Sequence, residues 1–141
     1  MALLTERDRE AVQGRLEEMT NAVTLVHFTQ ELECPTCREA SQLLQELSEL
    51  SNKLSLKVYH FQLDRDPVSR YRVDKVSATV VEGTKDYGIR FSGVPSGYEF
   101  ATLLEAVLAV SRGKSSLSSN SVERLWALTV PLHLQVFVTP T

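Results

Sequence analysis

The sequence predicts an α/β domain, with a four-stranded mixed sheet flanked by helices, an extra helix at its N-terminal end and a helix–strand tail at its C-terminal end. Three observations predict it. From Val23 onward, strand-like apolar runs alternate with runs of helical period. The first such strand leads into Cys34-Pro35-Thr36-Cys37 and then into a helix-like run. The last two strand-like runs are joined by so short a turn that they must pair antiparallel.

Composition narrows the function classes. A chain of 141 residues suits one domain and buries a core without disulfide staples. Hydrophobic residues make up 43% and charged residues 23%, as in an ordinary globular protein. A formal net charge of -3 points to neither nucleic acid nor anionic membrane. No run approaches the roughly 18 apolar residues of a membrane span. Met1 to Asp8 lacks the ordered basic, apolar and small-residue regions of a signal peptide, so the expected location is cytoplasmic. In that compartment a single C-x-x-C is catalytic or metal-binding rather than a staple.

The elements follow in order. Thr5 to Met19 reads as a helix, with Thr5 as N-cap and Asp8 at the capping-box position. Ala11, Val12, Leu16 and Met19 fall at helical spacing, and Gly14 weakens the helix by about 1 kcal/mol relative to alanine. Val23 to Thr29 is nearly all apolar or β-branched, as a central strand covered on both faces would be. Gln30 to Glu33 is a short loop. Pro35 suits a first helical turn, where its missing N–H costs nothing. Ala40, Leu43, Leu44, Leu47 and Leu50 carry that helix forward. Leu54 to Leu63 is a second strand, and Pro67 to Tyr71 a short helix. Val76 to Val81 and Tyr87 to Phe91 are strands joined by the Gly83 turn. Ser92 to Ser96 is a loop, and Gly97 to Val110 an apolar helix. The order from Val23 is β-α-β-α-β-β-α with a C-x-x-C at the first βα turn, which is the thioredoxin-like arrangement. Ser111 to Ser119 reads as a serine-rich linker, Ser121 to Ala127 as a short helix, and His133 to Thr139 as a strand.

The C-x-x-C carries the chemistry. Only a thiolate attacks a disulfide, and a free cysteine is mostly protonated at neutral pH. A helix N-terminus supplies partial positive charge. Cys34, at or just outside the helix start, is the expected nucleophile. Cys37, one turn further in and more shielded, is the expected resolving thiol. Glu31 and Glu33 before the motif would oppose thiolate formation if close, and Arg38 would favour it. The bland alternative is that all three are solvated. Structural zinc calls for four ligands, and the chain has no second cysteine pair. His27, His60 and His133 are scattered, and His27 and His60 read as structural histidines in strands. No metal ligand and no cofactor beyond a redox-active Cys34–Cys37 disulfide is assigned.

Several segments carry a family resemblance. Cys34-Pro35-Thr36-Cys37 looks like the glutaredoxin pattern, with proline after the first cysteine. Leu47 to Leu54, Arg72 to Lys75, Asp86 to Phe91 and Gly93 to Phe100 resemble the N-terminal unit of the glutaredoxin-like protein disulfide oxidoreductases. The N-terminal domain of the F component of alkyl hydroperoxide reductase is a more distant relative with the same double unit. The resemblance implies a thioredoxin-fold unit over residues 1–113. Residues 114–141 would then be a linker and the opening helix and strand of a second, truncated unit, since Val136 to Thr141 looks like the strand that leads to the second C-x-x-C. It also implies a protein disulfide oxidoreductase that acts on protein disulfides and takes electrons from a thioredoxin-reductase-like protein or from glutathione. Absence of the second C-x-x-C implies weakened activity.

Thioredoxin-fold enzymes carry a cis-proline that faces the C-x-x-C, and the matching position here is Ser77. A cis bond to a residue other than proline costs about 2.5–4 kcal/mol, which predicts a trans Ser77. Pro35, Thr36, Val76 and Ser77 are the expected substrate-docking residues. Two other functions fit the same residues: a thioredoxin-like binding module without catalysis, and a metal or cluster carrier bridging two chains. The apolar tail strand is expected either to pack back on the unit or to mediate a homodimer.

Overall fold

Thr5 starts the first helix as the capping-box spacing predicts. In the computed structural model, which describes residues 1–139, helix α1 spans Glu6–Leu16. The Thr5 hydroxyl accepts the Asp8 N–H at 3.1 Å, and the Asp8 carboxylate accepts the Thr5 N–H at 3.0 Å. Val12, Leu16 and, past the helix end, Met19 are buried, whereas Ala11 is exposed.

Strand β1 (Val23–Thr29) matches its predicted bounds. Helix α2 spans Cys37–Ser48, so Pro35 lies in the turn before the helix rather than in its first turn. Strand β2 (Leu54–His60) stops short of Leu63. There the chain turns: the His60 carbonyl accepts N–H bonds from Leu63 and Asp64, and the Asp64 carboxylate accepts the His60 N–H at 2.6 Å. Helix α3 is Arg65–Arg70, β3 is Ala78–Glu82 and β4 is Asp86–Ser92. Helix α4 runs from Tyr98 to Arg112 and α5 from Ser119 to Trp126.

The four strands lie in the order β2-β1-β3-β4. β1 is parallel to β2 and antiparallel to β3, and β3 is antiparallel to β4. The sheet is therefore mixed and the fold thioredoxin-like. Strand alternation divides the core. Val23, Leu25 and Val81 pack with leucines of α1, α2 and α4. Val26, Phe28, Ala78 and Val80 pack on the other face with Tyr71, which follows α3. No helix among the described residues is long and apolar enough to cross a membrane.

Two polar anchors are not legible in the sequence. Glu46 on α2 is 8% exposed and accepts the N–H groups of Leu3 and Leu4 at 2.8–3.1 Å. Burial pushes its carboxyl up, and those N–H donors together with Gln42 outweigh it and hold the pKa below the usual carboxylate range. Ser111, expected to start the linker, is instead fully buried in α4. Its hydroxyl accepts the N–H groups of Thr20 and Asn21 at 2.9 and 3.0 Å and donates to the Asn21 carbonyl at 2.8 Å. The helix outlasts the apolar stripe because the α1–β1 connection needs these bonds. It ends at Gly113, whose φ of 71° is the left-handed cap glycine tolerates.

The tail departs from expectation. Residues 129–139 form no strand, and Leu128, Val130, Leu132, Leu134, Val136 and Val138 are 50–85% exposed. Packing back on the unit is thereby excluded for these residues. Their alternation suits a strand, but a strand needs a ladder partner, and the described residues offer none here. Pro140 and Thr141, part of the expected strand leading to a second motif, lie outside the described residues.

Ser111→Ala leaves the Thr20 and Asn21 N–H groups without their acceptor. It is expected to lower unfolding stability by about 1–3 kcal/mol for each N–H left unpaired, read as a lower urea midpoint at unchanged slope.

Candidate functional site

The site forms where β1 ends and β3 begins. Phe28 pairs with Ala78 across the antiparallel β1–β3 ladder. The loop that leaves β1 and the residues that enter β3 therefore emerge at one edge. That register brings Thr36 to Ser77 although 41 positions separate them.

Cys34 and Cys37 are joined in a disulfide with a Cα–Cα distance of 5.5 Å. Cys34 is half-buried in the turn and Cys37, the first residue of α2, is 2% exposed. The Cys37 N–H points back to the Cys34 carbonyl at 3.4 Å, and the Ala40 N–H bonds the Thr36 carbonyl at 3.0 Å. Cys37 is thus itself the first residue of the helix, whose start carries partial positive charge, and Cys34 lies three residues before it. Glu31, Glu33 and Arg38 are all exposed, and none of them forms an ion pair among the described residues.

Of the expected docking residues, Pro35 is exposed, Thr36 and Val76 are half-buried, and Ser77 is 1% exposed. The Val76–Ser77 peptide bond is cis, which overturns the trans expectation. Local preference argues for trans, but Ser77 is held by long-range contacts that the sequence does not display. Its carbonyl accepts the Gly93 N–H at 3.0 Å, and its hydroxyl donates to the Gly93 carbonyl at 3.2 Å. Gly93 has a φ of 87°, a left-handed conformation open to glycine. The Thr36 hydroxyl lies 3.2 Å from the Ser77 hydroxyl and 3.7 Å from the Cys34 sulfur.

On β1, His27 is fully buried between sheet and helix. One ring nitrogen meets the Thr79 hydroxyl at 3.1 Å and the other meets the Ser41 hydroxyl at 3.0 Å. Ser41 follows Cys37 by one helical turn, so both lie on the same side of α2. The structural reading of His27 holds, but sequence reasoning misses its partners. The signal for Ser41 is its i+4 spacing from Cys37. Burial pushes the His27 pKa down from 6.5 to about 4, against an opposing backbone hydrogen bond at Ala78, so the ring is neutral at pH 7.

No family model matches this chain. Among curated proteins, it is 29% identical over 104 residues to the F component of alkyl hydroperoxide reductase from Staphylococcus aureus, a match covering 74% of this chain and 18% of that protein. The corresponding protein of Xanthomonas campestris pv. phaseoli is 32% identical over 88 residues, covering 62% of this chain and 15% of that protein. The chain thus spans less than a fifth of these relatives' length. Among solved structures, a protein disulfide oxidoreductase from Aeropyrum pernix superposes with a TM-score of 0.81 at 28% identity, covering 91% of this chain and 56% of the other. The NTD_N/C domain of the alkylhydroperoxide reductase AhpF from Enterococcus faecalis gives 0.79 at 26% identity, covering 89% and 61%. A Halobacterium salinarum thioredoxin, at 15% identity and a TM-score of 0.53, shares the fold. The fold is thioredoxin-like, and the likeness is to part of a protein disulfide oxidoreductase and part of the F component of alkyl hydroperoxide reductase.

His27 makes stability depend on acidity. Between pH 6.5 and about 4 the unfolded chain binds a proton that the folded chain refuses. Its contribution is therefore complete above pH 6.5 and lost as the pH falls toward 4, by about 3 kcal/mol in all. Urea unfolding of wild type and His27→Gln across this range is expected to show the wild-type advantage shrinking as the pH drops. A gap that stays constant would contradict the assignment.

Proposed function

We propose that the chain reduces or exchanges protein disulfides through a Cys34–Cys37 dithiol cycle, with Cys34 as nucleophile and Cys37 as resolving thiol. The carrying observation is the asymmetry of the pair: Cys34 is half-buried and reachable, whereas Cys37 is 2% exposed at the helix start. In the cycle, the Cys34 thiolate attacks a target disulfide, a Cys34–target bond forms, and one target thiolate leaves. The Cys37 thiol loses its proton and attacks the Cys34 sulfur. The second target thiolate leaves, and the Cys34–Cys37 bridge closes. Two electrons pass to the target, and a thioredoxin-reductase-like protein or glutathione returns them.

Substrate docking falls to the edge formed by Pro35, Thr36, Val76 and Ser77. Pro35 is exposed, and among the described residues no hydrogen bond engages the Val76 main chain. An extended substrate finds unpaired main-chain groups there. The buried Ser77 side chain contributes by holding that edge in place rather than by direct contact. A cytoplasmic setting and a glutaredoxin-like place in redox homeostasis go with this reading, resting on the C-x-x-C and on the likeness to disulfide oxidoreductases.

For the tail we infer self-association. Leu128, Val130, Leu132, Leu134, Val136 and Val138 alternate along residues 128–138, with Phe137 added between the last two, and all seven are at least half exposed. Two identical strands of this pattern pair without further design. Light scattering is expected to find a dimer for the full chain and a monomer for the Leu132→Ser/Leu134→Ser variant; a wild-type monomer would end the idea.

The enzymatic reading is tested with insulin as substrate. Cys34→Ser is expected to lose disulfide reduction to background, and Cys37→Ser to accumulate a mixed disulfide visible on non-reducing gels. Undiminished reduction by Cys34→Ser would leave only a binding role.

A further inference from the structure

Thr36 stands at the N-cap of α2 and does not cap it. Threonine in that position ordinarily turns its hydroxyl onto the N–H groups of the first turn. Here φ and ψ are -95° and -15°, a helical conformation, and the side chain makes no capping bond. Its hydroxyl turns instead to the Cys34 sulfur at 3.7 Å and the Ser77 hydroxyl at 3.2 Å. Ser77, 1% exposed, continues the line to the Gly93 carbonyl at 3.2 Å. A chain of contacts therefore runs from Cys34 through Thr36 and Ser77 to Gly93.

We propose that Ser77 is a positioning residue that restrains ionisation of Cys34 by engaging the Thr36 hydroxyl. The inference rests on Cys34 being the nucleophile of the proposed cycle, and it adds the device that tempers it.

Counting hydrogens gives the direction of the effect. Each hydroxyl has one hydrogen to donate and oxygen lone pairs to accept with. With a Cys34 thiol, the line runs one way: S–H to Thr36, Thr36 O–H to Ser77, and Ser77 O–H to the Gly93 carbonyl. Its first bond is weak, because a thiol is a poor donor. With a thiolate, both hydroxyls rotate and the line reverses: Ser77 O–H to Thr36, and Thr36 O–H to the sulfur anion. The Gly93 carbonyl, in a half-buried residue, is released to water. A neutral hydrogen bond and a weak one are exchanged for a charge-assisted one, about twice as strong as a neutral bond. Without the Ser77 hydroxyl, Thr36 donates to the anion with no neutral bond given up, and the gain is larger. Ser77 therefore holds back an ionisation that Thr36 favours, and a proline at position 77 has no hydroxyl to do this.

Charges around the line do not obscure it. Glu31 and Glu33 before Cys34, Arg38 and Glu39 at the start of α2, and Asp74 and Lys75 before Val76 are all exposed. Lys75 and Asp74 pair with each other at 3.3 Å. Glu99, in the first turn of α4 beyond the Gly93 loop, is half-buried, and burial raises its pKa.

The test follows Cys34 ionisation directly, in a Cys37→Ala background, from thiolate absorbance near 240 nm and iodoacetamide alkylation rate against pH. Thr36→Val is expected to raise the Cys34 pKa by about half a pH unit, and Ser77→Ala to lower it by about as much. Thr36→Ser restores the wild-type profile because it keeps the hydroxyl. The double variant decides the route: with Thr36→Val present, Ser77→Ala adds no further shift. An unchanged or raised pKa in Ser77→Ala overturns the proposal, as does a Ser77→Ala shift that persists in full with Thr36→Val. Circular dichroism and urea midpoints identify any variant that fails to fold; should Ser77→Ala do so, Ser77→Gly, which also removes the hydroxyl, takes its place. Alkylation needs no disulfide substrate. A wild-type chain that fails on insulin refutes the proposed function, whereas normal insulin reduction with unshifted profiles refutes only the relay.

Discussion

The constraint on which the structure depends is the burial of β1 on both faces. Val23, Leu25, Val26 and Phe28 are all fully buried, and the strand pairs with β2 on one side and β3 on the other. A one-residue slip would exchange the residues facing α1, α2 and α4 for those facing α3, so the register is strongly specified. Once β1 is fixed, its C-terminal end can deliver the C-x-x-C to only one place. Its antiparallel partner must enter the sheet beside that place. Proximity of Thr36 to Ser77 is a consequence of core packing, not of local sequence.

The same geometry makes the two cysteines unequal. Cys37 begins α2 and is carried under the helix toward the apolar layer, whereas Cys34 stays in the turn where the chain is still open to solvent. Helix α2 is anchored at its other end by its buried leucines and by Glu46, which fastens the N-terminal segment to it. A helix so held keeps its N-terminus, and the sulfurs beside it, in a fixed relation to β3.

How much of this can be read from sequence depends on the range of the forces involved. β1 is legible to the residue because its apolar run is long and continuous, and α1 because a capping box is a local signal. The C-x-x-C and its strand–turn–helix setting are legible for the same reason. The cis bond at Ser77 is not, since intrinsic preference favours trans while the contacts with Gly93 and Thr36 come from distant segments. Ser111 misleads because serine next to Arg112-Gly113 has linker composition, and only the folded α1–β1 connection reveals a use for it. The tail misleads in the opposite sense: its alternation is a strand's, but alternation describes a face and does not supply a neighbour.

Polar groups accumulate between β1, β3 and α2, where an apolar layer would have been the simpler solution. The ladder that sets Ala78 against Phe28 also sets Thr79 against His27, and α2 closes over the pair with Ser41. Among the described residues, no buried side-chain nitrogen or oxygen is left without a partner. His27 is thus pinned by hydroxyls at both ring nitrogens and is uncharged at pH 7. A neutral ring offers no cationic charge to a thiolate, unlike an imidazolium beside a cysteine. Ionisation of Cys34 is therefore left to short-range dipoles: the N–H groups at the start of α2 and the Thr36 hydroxyl, which Ser77 engages. Dipolar stabilisation falls off more steeply with distance than that of a charge, so the reactivity of this site is tied to the positions of those few groups.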